Sequence, residues 1–312
     1  METAAPLRTG GGTMGEAPSR PALRYYGGKW RIAPWVLSYF PAHECYVEPY
    51  GGGASVLLRK RRSPLEIYND LDGDVVSFFR VLREKPEELA RLIRLTPWAR
   101  AEYEFCREDC EDPLEAARRF YVSCWMGFGG GRARWRSGWR YQVKAGTMGK
   151  AAALSFCEVG HLYQAAERLC GVQIERRHAL DVMRRCDAPT TLFYLDPPYV
   201  VGTRSKWKDV YAFEMDDDDH CELATVARGL GGMVLISGYP SALYAELYEA
   251  YGWTRVETEA RTNGHGCVSV KRTEALWISP RTLERLECRD LPLFVDAGGY
   301  GMPRPYGGMV TR

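Results

Sequence analysis

Thr191 to Val200 reads TLFYLDPPYV: a run of β-branched, aromatic and aliphatic residues that stops at one carboxylate, two consecutive prolines and a tyrosine. Proline cannot donate to a sheet ladder and fixes φ, so a strand must end at this point and the backbone after it must be stiff. Six further short apolar runs share the strand character: CYVEP (45–49), LEIYND (65–70), VQIERR (172–177), MVLISGY (233–239), TRVETEA (254–260) and EALWIS (274–279). Between them lie helical patterns, DGDVVSFFRVLRE, DDDHCELATVARGL and PSALYAELYEAY, recognised by length and periodicity. Strands alternating with helices predict an α/β fold, a doubly wound and mainly parallel Rossmann-like sheet with helices on both faces.

The alternation is interrupted between about Pro86 and Gly171. This segment begins helically (PEELARLIRL, DPLEAARRFYVSCWMGF) and becomes glycine-rich and basic, which predicts an inserted, mostly helical domain at 86–171. The catalytic domain is then 21–85 together with 172–289. The ends, 1–20 and 290–312, are rich in Gly, Pro and small residues and are expected to be disordered or loosely attached.

Composition excludes several classes. With 312 residues, 46% hydrophobic and 26% charged, the chain reads as an ordinary globular protein with a full core. No apolar run approaches the ~20 residues of a membrane helix, and the opening 20 residues lack a signal peptide's apolar core, so a cytoplasmic protein with no membrane partner is expected. Ten cysteines scattered through a chain of this length are expected to be buried, reduced thiols. Cys106 and Cys110 lack a second pair at zinc-ligand spacing, so no metal is expected there. The acidic run EMDDDDHCELA is read as a helix start, where carboxylates cap free N–H groups.

A net charge of +2 is too mild to identify a nucleic-acid binder, but the charge is unevenly placed. In GGGRARWRSGWRYQVKAGTMGK, Arg132, Arg134, Arg136, Arg140, Lys144 and Lys150 occur without an acid and are interleaved with Trp135, Trp139 and Tyr141. Cations with aromatics suit phosphate contacts and base stacking or wedging; the plainer alternative is a solvated loop with aromatics tucked beneath it. Arg132, Arg134, Trp135, Arg136, Trp139, Arg140 and Lys144 are the candidate DNA contacts.

Near the N-terminus YVEPYGGGASVLLRK (46–60) runs strand, acid, proline, three glycines, helix. Glycines at a strand-to-helix turn let a ligand approach the backbone and present a helix N-terminus. The next strand ends in IYNDLDGD, where Asp70 or Asp72 would face the same crevice and bind ribose hydroxyls. A P-loop would need Gly-Lys followed by Ser or Thr, but GGKW has Trp30. The nicotinamide spacing Gly-x-Gly-x-x-Gly is also missing. Glu-Pro ahead of the glycines suits a cationic ligand better than a pyrophosphate. S-adenosylmethionine, with its sulfonium and ammonium, is therefore the candidate cofactor.

With a methyl donor over the first strands, the Asp-Pro-Pro-Tyr turn gains a use. A nucleobase amine is a poor nucleophile because its lone pair is delocalised into the ring. The Asp196 carboxylate and the Pro197 carbonyl would hold its two hydrogens and favour a pyramidal nitrogen, while Tyr199 would stack on the base. A base in duplex DNA must first be flipped out of the stack. This chemistry requires no metal.

The chain resembles the class α N6-adenine DNA methyltransferases, the family of bacterial Dam-type methylases and their phage relatives. The resemblance runs from about Arg24 to Ser279 and is carried, in the family's order, by RYYGGKW, YVEPYGGGAS, IYNDLDGD, HALDVM, FYLDPPY, LISGY and KRTEALWIS. It implies that Tyr25 (where the family often has tryptophan) and Lys29 line the donor pocket, and that Glu48, Pro49, Gly51 and Gly53 form the donor loop. It makes Asp70 the ribose acid, Asp181 the acid that recognises the donor's adenine, and Asp196, Pro197, Pro198 and Tyr199 the catalytic turn. The expected activity is methyl transfer from S-adenosylmethionine to the N6 amine of a flipped adenine at a specific site in duplex DNA.

Cytosine N4, which presents the same two hydrogens, is an alternative acceptor. RNA or protein amides use related turns, but the basic insert argues for DNA. A catalytically silent DNA-binding module is an alternative of another class. Tyr211 and Phe213, after the turn, are read either as a loop over the flipped base or as core packing. RTNGHGCVSVKR is read as a basic hairpin contacting phosphate. Monomeric action suits an asymmetric flipping event, and the sequence leaves open a separate restriction endonuclease partner.

Overall fold

The computed structural model describes residues 17–128, 138–141, 151–203, 211–263 and 269–288. In chain order the elements are α1 (Ala33–Leu37), β1 (Cys45–Glu48), β2 (Leu65–Asn69), α2 (Gly73–Glu84), α3 (Pro86–Leu95), α4 (Arg100–Phe105), α5 (Pro113–Met126), α6 (Ala152–Cys157) and α7 (Gly160–Leu169). They continue with β3 (Gln173–Glu175), α8 (Ala179–Arg185), β4 (Thr191–Leu195), α9 (Asp217–Gly229), β5 (Met233–Gly238), α10 (Ala242–Leu247), β6 (Thr254–Asn263), β7 (Ser269–Ile278) and α11 (Pro280–Glu287).

The seven strands form one sheet in the order β3-β2-β1-β4-β5-β7-β6. β1 to β5 are mutually parallel. β7 runs antiparallel to β5 and pairs with β6 in a long hairpin. The strand order reverses between β1 and β4, which opens a crevice beyond their C-terminal ends, the usual ligand position in an open α/β sheet.

The apolar run in TLFYL follows from burial on both faces. Leu192 and Tyr194 join one core cluster with α2, α5 and α7, whereas Phe193 and Leu195 join a second with α8, α9 and α10. β5 divides in the same way, Met233 and Leu235 on one side and Val234 and Ile236 on the other. Period-2 alternation thus feeds two cores, and neither face can accept a polar residue cheaply.

Helices α3 to α7 lie between β2 and β3, where the insert was expected, but they have no separate core. α5 and α7 pack on α2, and Phe120, Tyr121, Leu162 and Leu169 belong to the same buried cluster as Tyr46, Phe78 and Leu235. The helical half of 86–171 is thus a layer on one face of the sheet.

Residues 17–20 are also more firmly attached than their composition suggested. Pro18 is buried, the Ser19 amide donates to Gln164 (3.0 Å) and Arg20 bonds His161 (3.1 Å), which ties this segment to α7. Residues 1–16 and 289–312 lie outside the described residues. Of the nine described cysteines, all are reduced, but only Cys106 and Cys124 are buried; Cys157, Cys170, Cys221 and Cys288 are exposed because they sit at helix surfaces and ends. Among the described residues no helix is long and apolar enough to cross a membrane.

The acidic run behaves as its residue types predict. Asp216 accepts from the Asp219 amide (2.9 Å) and Asp219 returns a bond to the Asp216 amide (3.0 Å), closing a capping box on α9.

Candidate active site

A cavity of about 410 Å³ lies at the reversal point, within the usual range for small-molecule sites. Three strand ends build it. β1 ends at Glu48 and continues into Pro49–Gly53; β2 ends one residue before Asp70; β4 ends one residue before Asp196. The segment Tyr25–Lys29 closes one wall, and Arg177 to Leu180 and Tyr211 to Met215 complete the lining.

The glycines are required by close approach. At Gly51 a Cβ would fall 2.1 Å from the ring of Tyr68, a fully buried side chain whose hydroxyl donates to the Gly52 carbonyl (2.8 Å). Gly52 has φ +46°, a left-handed conformation that favours glycine. Tyr25 lies directly against Gly52 and Gly53, so the wall and the loop fix each other.

Asp70 and Asp72 separate cleanly. Asp70 lines the cavity and accepts from the Gly52 amide (2.7 Å) and the Asp72 amide (2.8 Å). Asp72 is instead the N-cap of α2, accepting from the Asp74 amide (2.9 Å). Burial raises the Asp70 carboxyl to about 6, against the backbone amides of Asp72, Gly52 and Leu71, which lower it. Glu48 is 2% exposed, accepts from the Tyr46 hydroxyl (2.8 Å) and the Leu57 amide (3.0 Å), and is pushed up to about 8. Burial is the main cause; the Tyr46 bond opposes it and the Asp196 charge adds to it.

At the Asp-Pro-Pro-Tyr turn, Asp196 and Pro198 line the cavity and Tyr199 sits behind them. The Lys29 ammonium lies 3.1 Å from Asp196 Oδ1, an ion-pair distance without hydrogen-bond alignment, and bonds the Gly27 carbonyl at 2.7 Å. Burial would lower Lys29, yet Asp196 and Glu274 hold it above its ordinary value, so it stays charged. Burial likewise raises Asp196, and Lys29 opposes that rise. The Lys29 ammonium also stands 4.6 Å from the centre of the Tyr199 ring, and Tyr239 meets that ring edge-on at 4.7 Å. The face expected to receive a base thus holds a cation in this structure. Tyr199 donates its hydroxyl to Glu274 (2.8 Å), an acid that sequence reasoning passed over.

The structure therefore brings together Tyr25, Lys29, Glu48, Pro49, Gly51, Gly53, Asp70, Asp196 and Pro198 around one cavity. It does not bring Asp181 there. α8 begins at Ala179, two residues ahead of Asp181, and turns that carboxylate outward, where it is exposed and 3.5 Å from Arg184. His178, Ala179 and Leu180 of the same motif line the cavity instead. Tyr211 and Phe213 also line it, Tyr211 against Gly27.

Of the candidate DNA contacts, Arg132, Arg134, Trp135, Arg136 and Lys144 lie outside the described residues, as do Lys150 and the tip of the β6–β7 hairpin. Trp139 pairs with Gly127 in an antiparallel bridge and rests half-buried on the main core, with Arg100 5.0 Å from its ring centre. Arg140 is half-buried, which depresses its guanidinium, and faces Arg24; burial and the Arg140 charge bring Arg24 down to about 10.

The lining carries six carboxyl groups, Glu48, Asp70, Asp196, Glu214, Asp219 and Glu222, against two cations, Lys29 and Arg177. Such a site favours a cationic ligand with hydroxyl groups and disfavours a pyrophosphate. The donor set thus fits S-adenosylmethionine.

Comparisons with known proteins agree. The "DNA adenine methylase" of Escherichia coli (strain K12) is 26% identical over 271 residues, spanning 83% of this chain and 94% of that protein. The protein of the same name from Salmonella typhi gives the same figures, and that of Serratia marcescens is 23% identical over 243 residues, 74% of this chain and 87% of its own length. Residues 25–262 match a family described as "D12 class N6 adenine-specific DNA methyltransferase". The match begins at Tyr25 in the cavity wall and takes in β1 to β5 and the whole Asp-Pro-Pro-Tyr turn, and the chain belongs to this methyltransferase family.

Proposed function

We propose that this chain methylates the N6 amine of an adenine flipped out of duplex DNA at a specific site, with S-adenosylmethionine as donor. The observation that carries the reading is the acid-rich cavity at the β1/β4 reversal, whose lining includes both Asp196 and Pro198 of the turn and the glycine loop. The donor supplies an electrophilic methyl group on a sulfonium. Everything else falls to the side chains and backbone of this protein.

Glu48 and Asp70 hold the donor's cationic and hydroxyl groups, the glycine loop receives it without a Cβ in the way, and Tyr25 packs the far side. Asp196 and the Pro197 carbonyl accept the two amine hydrogens, orient the nitrogen lone pair and stabilise the positive charge that develops there. Tyr199 backs this pocket; stacking of the base on its ring requires Lys29 to leave that face when DNA enters. Tyr211 and Phe213 stand at the mouth, placed to close over the base.

The basic, aromatic segment within 86–171 is proposed to read the target site and hold the DNA backbone, with Arg140, which faces Arg24, among its contacts. Such an enzyme works in the cytoplasm of a bacterium or of a phage-infected cell, acts as a monomer, and is either solitary or the partner of a separate restriction endonuclease.

Asp196→Ala tests the chemistry. It is expected to abolish transfer while calorimetry shows donor binding within about threefold of wild type, a shift under 1 kcal/mol. Unchanged turnover would contradict the assigned role.

A further inference from the structure

Glu274 is a 6%-exposed acid on a strand, facing the catalytic turn from outside the cavity lining. Its position follows from the topology. β7 runs antiparallel to β5, with Ala275 opposite Gly238, the last residue of β5. The stretch of β7 just before Ala275 therefore overhangs the C-terminal edge of the parallel strands, the edge on which the site lies.

There Glu274 meets Tyr199. The tyrosine hydroxyl donates to Glu274 Oε2 at 2.8 Å, and both side chains are buried, so water offers the pair no substitute partner. The ring is fixed on other sides as well. Tyr239 meets it edge-on at 4.7 Å, and Arg272, two residues before Glu274 on the same strand, stands 5.2 Å from the centre of the Tyr239 ring.

We infer that Glu274 is a positioning residue for methyl transfer, accepting the Tyr199 hydroxyl and thereby fixing the turn that presents Asp196 and Pro197. The inference rests on reading that turn as the catalytic element. Glu274 touches neither donor nor base; it acts through Tyr199. A buried carboxylate acceptor holds a phenol in one orientation far better than a shell of apolar residues would. Misplacement of a reacting group by about 1 Å can cost about 100-fold in rate.

The test uses the full chain, with single-turnover transfer to duplex DNA, donor affinity by calorimetry and thermal melting measured side by side. Glu274→Ala is expected to slow transfer by about 10- to 100-fold while donor affinity stays within about threefold. Glu274→Gln keeps an acceptor oxygen of the same reach and is expected to restore transfer to within about threefold of wild type. Tyr199→Phe combined with Glu274→Ala is expected to be no slower than the slower single variant, because both remove one contact.

Normal transfer in Glu274→Ala would overturn the inference. So would a parallel loss of donor affinity and rate, a Gln variant as slow as Ala, or multiplicative effects in the double variant. Wild-type protein that binds donor but leaves DNA unmethylated would instead sink the proposed function, and this inference with it.

Discussion

The Lys29 ammonium lies 3.1 Å from the Asp196 carboxylate, with 6% of one side chain and 18% of the other exposed. The charge of Lys29 is what opposes the burial that raises Asp196. In Lys29→Met, the carboxyl keeps its burial and the like charge of Glu274 but loses its cation, so its pKa rises further. The acid limb of the single-turnover rate is expected to move to higher pH, and on that limb transfer falls by at most about tenfold for each unit of the movement. A pH profile that overlays wild type would show that the pair has no bearing on the reacting group.

Glu48 gives a proton-linked signature of donor binding. Its carboxyl is raised to about 8 in the free protein, so it is protonated at pH 7, and a bound cation favours its ionised form. Binding is expected to release protons at pH 7 and to tighten as pH rises to about 8, then level off. Calorimetry in buffers of different ionisation enthalpy checks this; affinity without proton release between pH 6 and 8 would contradict it.

The same group predicts a conflict between stability and binding. Because the folded pKa of about 8 lies above the ordinary 4.5, the folded state holds the proton more tightly, and stability falls as pH rises through that interval. Glu48→Gln removes this dependence and keeps an acceptor for Tyr46 and Leu57. Its melting temperature is expected to exceed wild type by a margin that grows from pH 4.5 to pH 8, about 2–4 °C per kcal/mol gained, while donor binding is lost.

Gly51→Ala is expected to reduce both stability and donor affinity. The new Cβ would lie 2.1 Å from the Tyr68 ring, which is fully buried and cannot retreat. Overpacking of this kind costs about 1–3 kcal/mol, and the displaced loop should weaken donor binding by at least about tenfold. Urea unfolding and calorimetry on one preparation measure the two effects.

Far from the cavity, Glu66 receives Lys60 at 2.5 Å and Arg168 at 2.6 Å, all three buried. Burial would raise its carboxyl, but Arg168 and Lys60 hold it below the usual range. Glu66→Ala strands two buried cations and is expected to cost about 3–5 kcal/mol. Donor affinity of the folded protein should be unchanged, since the triad joins β2 to α7 on the side away from the site.

Much of this was legible in the sequence because local chemistry enforces it. TLFYL had to be a strand buried on both faces, DPPY had to end it, and the glycines of YGGG marked a loop that something approaches closely, although the ring of Tyr68, which is what crowds Gly51, was not legible. Asp70 and Asp72 could not be separated by residue type; the start of α2 separates them by taking Asp72 as its cap. Asp181 stands exposed and outside the cavity lining, since α8 starts two residues before it, and no residue type in HALDVM signals where that helix begins. Glu274 was hidden inside KRTEALWIS, where an acid in an alternating strand reads as solvent-facing. The pairing of β7 with β5, a long-range property, is what brings it to Tyr199. The shared core of α3 to α7 with the sheet was equally invisible, because it depends on which helix packs on α2.

Site-specific adenine methylation is tested by incubating the purified protein with labelled S-adenosylmethionine and mixed-sequence duplex DNA, digesting the product, and identifying the labelled nucleoside with its flanking bases. N6-methyladenine within a defined sequence is expected. Label in cytosine, or no label in DNA despite intact donor binding, would contradict it.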